Sequence, residues 1–157
     1  MGDFQLISFS MMNDLLVSAR RSTRLRRNYN FHEHADAVQR FLNALIPNTY
    51  VRPHRHINPP RFETFLVLRG RVAVAFFDNE GRITGSNYMG ERCEVKGIDI
   101  SPGVWHTLIC LEDAVIFEVK EGPYQEDTDK EFAIWSPNEG SPESEKYLVH
   151  LIANIGG

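Results

Sequence analysis

From Thr49 onward the chain is a succession of short β-prone runs with no helix-length segment between neighbours. The runs are "TYVRPHRH" (49–56), "ETFLVLRG" (63–70), "RVAVAFFD" (71–78), "CEVKGIDI" (93–100), "HTLICLE" (106–112) and "AVIFEVK" (114–120). Strand following strand at a spacing of roughly ten residues predicts an all-β barrel or jelly roll. It excludes a βαβ architecture, which needs a helix between parallel strands. "DNEGR" at 78–82 reads as a hairpin connection, with Gly81 where a positive φ is needed.

Upstream the texture differs. "SMMNDLLVSAR" and "HADAVQRFLNAL" both carry helical spacing, and in the second Ala35, Val38, Phe41, Leu42 and Leu45 form one apolar stripe. Pro47 in "IPN" bars continuation of that helix. The expected layout is a helical N-terminal arm over 1–47, a barrel core over 48–121 and a C-terminal extension over 122–157. All of it belongs to one domain, since 157 residues with 42% apolar content supply a single sizeable core. In the extension, "GPYQEDTDKEF" and "SPNEGSPESE" read as coil and "YLVHLIANI" as an apolar closing segment.

Two cysteines, Cys93 and Cys110, do not make a disulfide framework. The opening "MGDFQLISFSMMNDLLVSARR" places its basic residues after the apolar stretch, the reverse of a secretory leader. Met1–Gly2 are not followed by the serine or threonine of a myristoylation signal, and no apolar run reaches membrane-spanning length. A soluble cytoplasmic protein is expected. Charge is uneven: residues 1–60 carry a net +4 and residues 61–157 a net −8. Five arginines cluster in "RRSTRLRR" (Arg20, Arg21, Arg24, Arg26, Arg27), which either binds a phosphate-bearing ligand or pairs with the acidic remainder. No aromatic residues interleave with them, no recognition-helix pattern is present and the net charge is −4, so nucleic acid is not the expected partner.

The chemistry concentrates in "YVRPHRHINPPRFE" and "SPGVWHT". Residues two apart in a strand share a face, which puts Tyr50, Arg52, His54 and His56 together. Two imidazoles so placed can chelate one ion, though the H-x-H pair alone is a weak signal. His106 follows a Pro-Gly turn downstream, and Glu63 lies between. Three imidazoles and one carboxylate suit Fe, Mn, Ni, Co or Zn as a divalent ion and leave coordination positions open for substrate.

These residues resemble the two motifs of the cupin superfamily, G-x5-H-x-H-x3–4-E-x6-G and G-x5-P-x-G-x2-H-x3-N. The resemblance implies a cupin double-stranded β-helix with His54, His56, Glu63 and His106 as metal ligands and Gly70 and Gly103 as turn glycines. The chain departs from the pattern at Asn48 and Val95 in place of glycines, Ser101 in place of proline and Cys110 in place of asparagine. Asparagine is the next-best residue for a left-handed turn. The gap between His56 and Glu63 is six residues, "INPPRF", longer than the pattern allows. A looped hairpin stiffened by Pro59 and Pro60 would preserve the strand register.

Over most of residues 20–135 the chain is similar to the WbuC family of cupin-fold metalloproteins, through "RRNYNFHEHADAVQRFLNAL", "RPHRHINPPRFETFLVLRGRVAVAFFD", "SPGVWHTLICLE" and "FEVKEGPY". That family occurs in bacterial O-antigen gene clusters. The resemblance implies a link to lipopolysaccharide sugar biosynthesis and, as in many cupins, a homodimer.

Other residues have two readings each. Tyr50, Arg52 and Trp105 are candidates for substrate binding: Arg52 for a carboxylate or phosphate, Trp105 for a sugar face. Arg52 could equally pair with Glu118, and Trp105 could be core. His32 and His34 in "NFHEH" read as structural, capping a helix or packing across the barrel mouth; His150 and Cys110 read as structural too. Glu63, if not a ligand, could be a general base. No other catalytic residue is assigned. The functions open at this point are a metal-dependent isomerase, epimerase or lyase on a sugar or nucleotide sugar, an Fe(II) dioxygenase, and a metal- and small-molecule-binding module without turnover. Metal-free cupin epimerases using His and Tyr acid–base chemistry fit less well with so complete a ligand set.

Overall fold

The computed structural model of the protein describes residues 4–156; the Met1–Gly2 opening lies outside them. In chain order the elements are α1 (Phe9–Arg21), β1 (Arg26–Asn30), β2 (Val38–Leu45), β3 (His54–Arg55), β4 (Glu63–Arg69), β5 (Arg71–Phe77), β6 (Ile83–Gly90), β7 (Gly97–Ile100), β8 (Trp105–Cys110), β9 (Ala114–Glu121), β10 (Glu131–Phe132) and α2 (Pro142–Asn154). The strands form two antiparallel five-stranded sheets, ordered β1-β2-β9-β4-β7 and β10-β3-β8-β5-β6.

The sheets enclose an apolar interior because inward residues of both alternate with outward ones. Leu45, Phe65, Val67, Ala114 and Ile116 from the first sheet meet Val72, Val74, Met89, Leu108 and Cys110 from the second. The outward residues are also largely covered. Leu15, Leu16 and Ala19 of α1 pack on Leu42, Ala44 and Val115 of the first sheet. Leu148 and Leu151 of α2 pack on Ala73, Ala75 and Ile109 of the second. Ser8 starts α1 by accepting the Met11 amide at 3.1 Å, and Pro142 opens α2.

The expected N-terminal arm is helical only over Phe9–Arg21, and "HADAVQRFLNAL" is not a helix. Its second half is β2, central between β1 and β9. The reason is burial on both faces: Phe41 and Leu45 point inward while Leu42 and Ala44 meet α1. A doubly buried strand reads as a run of apolar residues, which periodicity alone does not separate from a helix. β1, β6 and β10 are further strands that the sequence did not announce, β10 lying within "GPYQEDTDKEF" and α2 beginning within "SPNEGSPESE", both read as coil, whereas β4, β5, β8 and β9 fall on predicted runs.

The turn chemistry agrees with the sequence. Asn48 has φ +75°, a left-handed conformation in the position where the cupin pattern has glycine. At Gly70 (φ +75°) a Cβ would stand 2.0 Å from the Asp113 carbonyl oxygen, so the β4–β5 connection excludes any side chain.

Candidate metal centre

β3 and β8 lie side by side with His54 opposite His106, and β4 begins at Glu63 on the facing sheet. His56 follows β3 by one residue. The long "INPPRF" segment folds back on itself through an Ile57–Pro60 bridge, and the Gly103 amide donates to the His56 carbonyl at 3.0 Å. The insertion is thus absorbed in a local loop, and Glu63 enters β4 in register with Ile100 and Lys120. One donor atom from each of His54, His56, Glu63 and His106 lies within 4.8 Å of the others, and all four residues are buried.

Backbone carbonyls orient the rings. His54 Nδ1 lies 2.8 Å from the Arg52 carbonyl and His106 Nδ1 2.9 Å from that of Val104, while His56 Nδ1 contacts the carbonyl of Asp129. A carbonyl can only accept, so each Nδ1 carries the proton and donates it. In neutral rings each Nε2 then presents a lone pair. Nε2 of His56 and of His106 stand 3.0 and 3.2 Å from Glu63 Oε2. Neutral imidazoles so arranged would turn lone pairs towards a carboxylate, a repulsive convergence that a cation converts into attraction. Metal-binding histidines are commonly oriented by this kind of outer hydrogen bond. The donor set, its burial and its tautomers all fit a divalent ion.

Burial and then the charge of Lys130 hold His54 well below the usual histidine range, so that ring is neutral. Burial pushes the Glu63 carboxyl up; a second proton on the Nε2 of His106 and His56 would supply the hydrogen bonds and charge that hold it well below the usual range, and a bound cation takes the place of those protons.

Three of the four residues, His54, Glu63 and His106, line a cavity of about 740 Å³. Val51, Phe41, Phe65, Leu108 and Phe132 supply apolar wall, and Glu118, Lys120, Asp129 and Lys130 supply charge. Lys120 Nζ is bound by both Asp129 oxygens at 2.7 and 2.6 Å. Glu118 accepts from Asn43 Nδ2 at 3.0 Å, and burial followed by the nearby Glu63 charge pushes its carboxyl up to about 8. Arg24, Arg26 and Arg27 stand at the rim.

Three sequence candidates are not at this site. Tyr50, Arg52 and Trp105 are absent from the cavity lining and serve the outer packing of the second sheet. Tyr50 donates to the Pro137 carbonyl at 3.0 Å. Arg52 is committed to Ser136 Oγ, Asn138 Oδ1 and the Ala133 carbonyl, at 3.1, 2.6 and 2.9 Å, and does not pair with Glu118. Trp105 donates to Asn79 Oδ1 at 3.1 Å under the Arg55 guanidinium. The shared-face expectation fails because residues 49–53 are not strand, so strict alternation does not extend back from His54.

His32 and His34 line the barrel mouth, as the packing alternative had it, but in the β1–β2 connection and not at a helix entrance. His32 Nδ1 lies 2.8 Å from the Arg40 amide, and His34 packs on Tyr124 at 4.9 Å. His150 is exposed on α2, and Cys110 is a buried core thiol. In the arginine cluster, Arg20 pairs with Asp113, and Arg24 and Arg26 with Glu139. Lys120, Asp129, Lys130, Phe132 and Asn43 escaped the sequence reading. One signal was present: Glu118 and Lys120 continue the inward alternation of Ile116 on an otherwise apolar strand.

Fold and site together define a cupin-fold protein with a buried three-histidine, one-carboxylate cluster. Residues 7–89 match the family described as a domain of unknown function, DUF6016, and the chain belongs to that family. Among proteins of curated function none matches. Solved structures share the fold. One is oxalate oxidase in complex with the substrate analogue glycolate (TM-score 0.53, 13% identity, 71% of this chain and 57% of that one). Another is the capsular polysaccharide assembling protein CapF from Staphylococcus aureus (TM-score 0.56, 22% identity, 71% and 32%). A third is the conserved SPY1581 protein of unknown function from Streptococcus pyogenes (TM-score 0.54, 10% identity, 80% and 93%). The chain thus spans little more than half of oxalate oxidase and about a third of CapF. No helix among the described residues is long and apolar enough to cross a membrane.

Proposed function

We propose that the protein is a metal-dependent cupin enzyme acting on a small, sugar-derived substrate, with His54, His56, Glu63 and His106 holding one divalent ion. The observation that carries the reading is the convergence of the Nε2 atoms of His56 and His106 on Glu63 Oε2, with all three Nδ1 atoms spent on backbone carbonyls. Such a cluster beside a ligand-sized cavity is what a catalytic metal requires. When bound, the ion supplies Lewis acidity towards a carbonyl or hydroxyl oxygen. Glu118 is a cavity carboxyl whose pKa is raised by burial, which suits it to exchange a proton with substrate oxygen or carbon.

An isomerase, epimerase or lyase is the reaction class that uses these parts without a further co-substrate. The WbuC resemblance supports a sugar or sugar nucleotide linked to O-antigen or lipopolysaccharide biosynthesis, a cytoplasmic location and a homodimer. An Fe(II) dioxygenase uses the same donor set and is the competing outcome of the test.

The test is elemental analysis of protein purified without affinity tag or chelator. About one equivalent of metal in the wild type, lost in His106→Ala and weakened in Glu63→Ala, is the expected result. Iron together with O₂ consumption would move the assignment to dioxygenase. Protein that stays empty after reconstitution would reject the metalloenzyme reading.

A further inference from the structure

Of the charged residues that line the cavity, Arg27, Glu126 and Lys130 have no ion pair among the described residues; Arg27 and Glu126 are exposed, and Lys130 adjoins Phe132, the strand partner of His54. Lys120 is held by Asp129, and Arg24 and Arg26 by Glu139. Glu63 faces His56 and His106, and Glu118 takes a hydrogen bond from Asn43. Lys130 has no hydrogen bond or ion pair among the described residues, although it lines the cavity.

Its direction follows from β10. Glu131 points outward to Arg55, at 3.1 and 2.8 Å, and Phe132 lies opposite His54 in the ladder, its ring 6.3 Å from the imidazole. Lys130 and Phe132 flank Glu131 and both face the cavity. The Lys130 side chain is exposed to the solvent of the cavity and has no protein counter-ion among the described residues, so its charge is free to meet an anionic group that enters.

We propose that Lys130 is the substrate anchor, and that the cavity takes a small organic acid whose carboxylate sits between the Lys130 ammonium and the metal-binding cluster. The proposal rests on the metalloenzyme reading and narrows its sugar-derived substrate to a sugar acid, held by its carboxylate and not by a nucleotide phosphate. A carboxylate is favoured over a phosphate because Lys130 is a single point charge, whereas phosphate recognition is better met by several donors or a guanidinium fork. The arginines that could supply a fork stand at the rim, and two of them are already paired. Apolar residues Phe41, Phe65, Leu108 and Phe132 leave room for the carbon skeleton.

The experiment is calorimetric titration of glycolate, inorganic phosphate and neutral ethylene glycol into the purified protein, its Lys130→Met and Lys130→Arg variants, and metal-stripped wild type. Metal content and melting temperature are measured on each sample. Glycolate should bind the wild type. Its affinity should fall about tenfold or more in Lys130→Met, the worth of one charge-assisted hydrogen bond, and return largely in Lys130→Arg. Metal content should be unchanged in both variants, and ethylene glycol should not bind. Equal glycolate affinity in folded Lys130→Met, no glycolate binding to metal-loaded wild type, or tighter binding of phosphate would overturn the proposal. A wild type without metal rejects the metalloenzyme reading instead, and a Lys130-dependent glycolate affinity in that protein would leave the anchor standing.

Discussion

The two ends of the barrel interior are built on the same strands and have opposite characters. Along the inward face of β4 the order is Glu63, Phe65, Val67; along β8 it is His106, Leu108, Cys110; along β9, read from its far end, Lys120, Glu118, Ile116, Ala114. Each strand starts polar at the cavity and turns apolar towards the closed end. The closed end is filled by Val72, Val74, Met89, Ala114 and Ile116, all with no exposed surface. One alternation therefore serves two purposes. The close-packed end supplies the rigidity that holds the donor atoms at the open end in place.

The largest effect expected from breaking this contrast is at the open end. His106→Ala should abolish stoichiometric metal while leaving the apolar core intact, measured by elemental analysis beside circular dichroism. The converse change, Ile116→Ala, should cost about 2–4 kcal/mol in denaturant unfolding with metal content preserved. Loss of metal in that folded variant would show that the two ends are not separable.

Arg52→Ala tests the outside of the second sheet against its inside. It removes three hydrogen bonds to the C-terminal segment, for about 1–3 kcal/mol of stability. Metal content and glycolate affinity should not change. A fall in glycolate affinity at constant stability would restore Arg52 as a ligand contact.

A smaller effect concerns Glu118, whose folded-state pKa of about 8 lies above the ordinary 4.5. Between these values the unfolded chain has released the proton that the folded protein keeps. Stability of the metal-free protein therefore declines as pH rises from about 4.5 to 8 and levels off above. Glu118→Gln should flatten that decline in melting temperature. An unchanged slope would show that Glu118 is ionised in the folded barrel.

Much of the site was legible before any coordinates. His54, His56, Glu63 and His106 stand out because metal chemistry needs those side chains and because two strand-spaced histidines and a Pro-Gly-x-x-His turn put them on a common barrel. Asn48 and Gly70 were legible for a similarly local reason, since left-handed backbone restricts residue type. β2 was not legible, because α1 covers its outer face and erases the alternation that marks a strand. Tyr50 and Arg52 were misplaced because alternation was carried into a segment without strand geometry.

The sequence by itself determined the all-β architecture, the donor types and the turns, since these depend on residue identity and short spacing. Only the tertiary structure decided which charges meet. Among the described residues Lys120 is paired and Lys130 has no partner, because a loop distant from the histidine motifs folds across the mouth of the barrel and brings Asp129 to one lysine and not the other. Contacts of that kind depend on how separate segments pack, and no local pattern in the chain records them.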